Sequence, residues 1–111
     1  MSRRVVKAFT EFCVFLMAIV SVDLSPAARE YLLQQGWKDV WVTDVYYTCP
    51  KGIDLALVEG GVPEELDSWD VVRTEEITVY VPKDKSYKES IPRIVYFRKG
   101  DNEWVGVANE L

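Results

Sequence analysis

Hydrophobic and polar positions along the chain change period several times, and each change marks an element. Val20, Val22 and Leu24 alternate with Ser21 and Asp23, the two-residue period of a half-buried strand. Ser25-Pro26 follows as a helix start, with serine as N-cap and proline at the first helical position, where its missing N–H costs nothing. Ala28, Tyr31, Leu32 and Gln35 then make one helical face, Gly36 supplies a left-handed stop, and Trp37 is placed to fold back on Leu32.

Beyond Trp37 the pattern is β. Val40 to Tyr47 is rich in branched and aromatic residues, and Ile53, Leu55 and Leu57 alternate with Asp54, Ala56 and Val58 across a turn at Thr48-Cys49-Pro50-Lys51-Gly52. A polar loop from Glu59 to Asp67 precedes strands at Trp69 to Thr74 and at Ile77, Val79 and Val81, which end in a loop from Pro82 to Ser86. Ile94 to Arg98 and Trp104 to Val107 flank Lys99-Gly100-Asp101-Asn102, a hairpin signal. These elements predict an α+β, mainly β domain of about six short strands around one core helix.

The amino-terminal stretch differs. Ser2-Arg3-Arg4-Val5-Val6-Lys7 is basic, and Phe12 to Val22 has Ser21 as its one polar residue. This superficially matches an export signal, but the run is too short to span a bilayer, Glu11 sits at its edge and no A-x-A site follows. Val5, Phe9, Phe12, Cys13 and Leu16 also follow the spacing of an amphipathic helix that packs on the domain or a partner. Alternatively Met17 is the natural start, with residues 1–16 an upstream extension and 17–111 the single domain.

At 111 residues the chain holds one core. Its formal charge of -5 leaves phosphate-backbone binding to a local patch, so neither nucleic acid nor membrane is expected as a partner. The absence of histidine removes Ser-His-Asp and Cys-His catalysis and histidine metal ligands together. No convergent nucleophile, base and oxyanion donor can be named, so an enzyme is not expected.

Cys49 is the leading candidate residue. A turn between strands presents a sulfur outward, where thiolates ligate metals or attack electrophiles, and Lys51 adds a nearby cation. The alternative is a small apolar side chain at a strand end, and a disulfide with Cys13 is a third reading. Glu59, Glu64, Glu65, Asp67 and Asp70 fit no calcium-loop spacing and read as a solvated acidic loop. Lys83, Lys85, Lys88 and Arg93 form a basic cluster near Tyr87 that reads as surface solvation. Gly60-Gly61 leads into Val62-Pro63 and opens no helix, so it is no phosphate loop.

The segment Leu24-Ser25-Pro26-Ala27-Ala28-Arg29-Glu30-Tyr31-Leu32, the cysteine-bearing turn, the acidic loop and Glu76-Ile77-Thr78-Val79-Tyr80-Val81-Pro82-Lys83 together resemble the HesB/IscA-like family, the A-type carriers of iron-sulfur assembly. The resemblance runs from about Val20 to Lys88. It implies a HesB-like β domain in the cytoplasm that handles iron or an iron-sulfur cluster through Cys49, which falls on the family's first cluster-binding cysteine. The carriers' carboxyl-terminal Cys-x-Cys has no counterpart in Trp104 to Leu111, so the resemblance implies a cluster shared across a homodimer. Two other readings stand beside it: a non-catalytic interaction protein that binds a protein partner, and a single-cysteine redox protein that forms mixed disulfides at Cys49.

Overall fold

A computed structural model describes residues 18–49 and 51–111. The expected amino-terminal helix, the start at Met17 and the pairing with Cys13 all involve residues outside those described.

The helix α1 (Pro26–Gln34) forms as its caps dictate. Ser25 has extended backbone and its hydroxyl accepts the Ala28 N–H at 3.1 Å, satisfying one of the amides that a first turn leaves open. At the other end Gly36 takes a φ of +80°, which lets Trp37 N–H donate to the Leu32 carbonyl at 3.2 Å in a Schellman closure. Ala28 and Leu32 are fully buried, whereas Gln35, expected on the same face, is exposed because the helix has already ended at that position.

Seven strands build one sheet. They are β1 (Asp23–Leu24), β2 (Asp39–Thr48), β3 (Asp54–Gly60), β4 (Trp69–Arg73), β5 (Thr78–Pro82), β6 (Arg93–Lys99) and β7 (Asn102–Val107). Their spatial order is β1-β6-β7-β3-β2-β5-β4. β1 with β6 and β2 with β5 are parallel pairs, and the remaining neighbours are antiparallel. The α+β, mainly β class expected from the pattern is therefore what forms. The β6–β7 hairpin closes through Gly100-Asp101, with Lys99 opposite Asn102 and Gly100 at φ +62°, as the turn signal required.

The sheet curls into a half-barrel around α1. Val40, Val42, Val79, Val81, Ile94, Val105 and Val107 point inward on Leu32 and Ala28 to form the core. Ile19 joins that core at 7% exposure, and its N–H donates to Asp70 Oδ2 on the edge strand β4 at 3.0 Å. Four residues later Asp23 is already paired with Arg93 on the opposite edge of the sheet. Four extended residues span at most about 14 Å, so the entering segment draws the two sheet edges toward each other. The alternation expected over Val20 to Leu24 is broken as a result. Ile19 turns inward and Val20 is 82% exposed, and only Asp23 and Leu24 pair as a strand.

Candidate functional site

Cys49 is placed by the β2–β3 hairpin. Thr43 Oγ1 accepts the Val45 N–H at 3.1 Å, which kinks β2, and the pairing with β3 shifts between Val42 and Tyr46. The ladder then resumes as Tyr47 opposite Leu55 and Thr48 opposite Asp54. Cys49 N–H donates to the Ile53 carbonyl at 2.9 Å, and the Cys49 carbonyl accepts the Gly52 N–H at 2.8 Å with Gly52 at φ +84°. The cysteine thus closes the hairpin ladder, where its backbone is held on both sides of the turn. Its thiol is free and half-buried, neither sealed in the core nor fully in water.

What the thiol faces is decided at Gly106 on β7. Gly106 lies between Leu57 of β3 and Val95 of β6. A Cβ there would sit 2.9 Å from the Ala56 carbonyl oxygen and 3.0 Å from Leu55 Cβ, so only glycine permits this approach. Leu55 consequently sinks to 3% exposure. Between the hairpin tip and β6 remains a cavity of about 340 Å³ lined by Cys49, Lys51, Ile53, Leu55, Val95, Tyr96, Phe97, Arg98 and Ala108. Among the described residues no carboxylate lines it, although the chain as a whole carries -5.

An aromatic stack clamps the hairpin beside this cavity. Tyr47 lies 4.3 Å from Trp104 and 5.5 Å from Phe97 between ring centroids, and Phe97 lies 5.2 Å from Trp104. Offset stacking of this kind adds about 0.5–1.5 kcal/mol per pair beyond area burial. Arg98 Nε donates to the Gly100 carbonyl at 2.9 Å, which anchors the base of the guanidinium to the hairpin turn. Neither Arg98 nor Lys51 enters an ion pair among the described residues.

The other candidates fall elsewhere. Asp70 holds Ile19, Glu59 is exposed one residue before the end of β3, and Glu64, Glu65 and Asp67 are exposed in the following segment. Among the described residues no group of three or more Cys, Asp or Glu is arranged to hold a metal ion. The basic cluster does not act as one patch. Lys85 pairs with Glu110 at 3.5 Å, Arg93 pairs with Asp23 at 3.5 Å, and Lys83 borders a second cavity of about 440 Å³ against Trp41 and Trp69. That cavity is larger than the one at Cys49 but has no thiol among its described lining, which mixes Lys83 and Lys85 with Asp44 and Asp84.

A polar cluster lies at the other side of the same hairpin. Tyr46 donates its hydroxyl to the Glu110 carboxylate at 2.6 Å. Partial burial and then Glu110 raise the Tyr46 phenol above its ordinary value, while the bond to Tyr46 and then Glu110 raise Lys85. Tyr87 is 3% exposed, burial drives its phenol upward, and its hydroxyl finds no hydrogen-bond partner among the described residues.

The residues missed by sequence reasoning are those on β6. Arg98 lies 49 positions from Cys49, and nothing in the chain order brings them together; the alternation of Val95 and Phe97 was the one available sign of a second apolar face.

A family model described as "CC/Se motif containing family" matches residues 20–98, well over half of the chain. The chain belongs to that family. No curated protein and no solved structure matches it. The HesB/IscA resemblance is overturned by this match, which lends no support to iron or an iron-sulfur cluster at Cys49. Its two strongest segments were a capped helix start and an alternating strand, which are solutions to folding that unrelated domains share. Cys49 is the one thiol among the described residues that line the cavity, whereas an iron-sulfur cluster takes about four such ligands. The chain has no two adjacent cysteines, since Cys49 is followed by Pro50.

Proposed function

We propose that this member of the CC/Se motif containing family acts through Cys49 as a thiol–disulfide exchange protein. The observation that carries the reading is a free, half-buried thiol at a cavity bordered by Lys51 and Arg98 and, among the described residues, by no carboxylate. In exchange, the Cys49 thiolate attacks one sulfur of a disulfide R–S–S–R, the S–S bond breaks, and RS⁻ leaves as the Cys49–S–S–R bond forms. Negative charge passes from the attacking to the departing sulfur, and the cationic Lys51 and Arg98 line the same cavity as the thiol. The charge balances and no outside oxidant is consumed. With no second described cysteine beside it, the mixed disulfide persists until another thiol from solution releases it. Such chemistry suits a cytoplasmic setting rich in small thiols.

The test uses Cys13→Ser protein and the neutral disulfide 4,4′-dithiodipyridine. One equivalent of thiopyridone should be released with the matching mass gain, faster from folded protein than from the same protein in urea, and Cys49→Ser should remove it. Slower reaction of the folded protein would show the hairpin shielding the thiol and would overturn the reading.

A further inference from the structure

The cavity itself says what the partner molecule looks like. Its volume of about 340 Å³ lies at the small end of the range that holds small ligands. Ile53, Leu55, Val95 and Phe97 give it an apolar wall, and Phe97 is held rigid by its stack on Trp104 and Tyr47. The charged side chains of the lining, Lys51 and Arg98, are both cationic. They come from opposite sides, Lys51 from the hairpin turn and Arg98 from β6. Among the described residues Arg98 is engaged through Nε, at the Gly100 carbonyl, which leaves its two terminal nitrogens to donate to a planar acceptor. In a chain of net charge -5, the long-range field repels anions, and this local pair reverses the sign at one apolar hollow.

We infer that the cavity beside Cys49 is a site for small apolar organic carboxylates, with the carboxylate on Lys51 and Arg98 and the apolar body on Leu55 and Phe97. The inference deepens the thiol-exchange reading, because it names the class of disulfide the site selects, but binding of the anion does not need the sulfur.

Two measurements separate the two claims. In Cys13→Ser protein, Cys49 should react with the dianionic aromatic disulfide 5,5′-dithiobis(2-nitrobenzoate) faster, relative to the neutral 4,4′-dithiodipyridine, than does the same protein in urea. Lys51→Met and Arg98→Met should each cut that preference about three- to tenfold, the scale of losing one local charge, with Arg98→Lys retaining more than Arg98→Met. In the Cys13→Ser/Cys49→Ser protein, 2-nitrobenzoate should quench tryptophan fluorescence saturably while its neutral isostere 2-nitrobenzamide does not. Saturable quenching without exchange at Cys49 would uphold the anion site and sink the exchange reading. Exchange with no preference for the dianion, unaltered in both methionine variants, would overturn the anion site and leave the exchange reading standing. Equal quenching by nitrobenzoate and nitrobenzamide would also overturn it.

Discussion

Ile19 N–H donates to Asp70 Oδ2 at 3.0 Å, joining the entering chain to the strand at the far edge of the sheet from β1. Because Ile19 is also a core residue, this contact is part of the packing and not a surface tether. Ile19→Ala is expected to cost about 2–4 kcal/mol through lost burial and a partly uncollapsed cavity. Asp70→Ala should cost about 1 kcal/mol by leaving the Ile19 amide without its partner. Urea unfolding midpoints at constant m-value check both.

Gly106 is expected to tolerate no side chain. Gly106→Ala places a methyl carbon 2.9 Å from the Ala56 carbonyl oxygen and 3.0 Å from Leu55 Cβ, so β3 and β7 must separate. A loss of about 1–3 kcal/mol follows from such overpacking. Because the Cys49 cavity lies on the same face, the reaction rate of Cys49 should change in the same variant, whereas a remote glycine such as Gly36 replaced by Asn should leave the rate as it was.

Tyr87→Phe should stabilise the protein by about 1 kcal/mol. The ring is in the core, but its hydroxyl is buried with no partner among the described residues, so removing the oxygen should relieve a desolvation cost without opening a cavity. A lower urea midpoint for the phenylalanine variant would mean that the hydroxyl has a partner in solution, such as an internal water.

Alkaline pH should unfold the protein through its tyrosines. Burial, followed by nearby carboxylates, raises Tyr46 and Tyr87 above the ordinary value of 10.0, and Tyr96 is raised in the same sense beside Glu103. A folded-state value above the unfolded one favours the protonated phenol, so this contribution is whole below pH 10 and disappears as pH rises through the folded-state values. Stability is expected to be flat from pH 7 to about 9 and to fall above 10. The fall should be smaller in Tyr87→Phe. An equal slope in both proteins would show that Tyr87 does not contribute.

The pattern of side chains was enough for the elements that close on themselves. The helix from Pro26 was legible because Ser25, Pro26 and Gly36 act within one turn of the backbone they cap, and the β6–β7 hairpin was legible because Gly100 alone allows its tight reversal. Cys49 at a turn was legible for the same local reason. The inward turn of Ile19 was not, because it depends on a carboxylate 51 residues away.

The same distinction runs through the site. The amino-acid sequence by itself determined that a thiol and a lysine share one turn, since their separation is covalent. Tertiary structure alone decided that Arg98 and Phe97 stand across from them, because a sheet neighbour is chosen by strand order and by the missing side chain at Gly106. It also decided that the described groups brought to Cys49 are cations and hydrocarbon, since a cavity's lining is assembled through space.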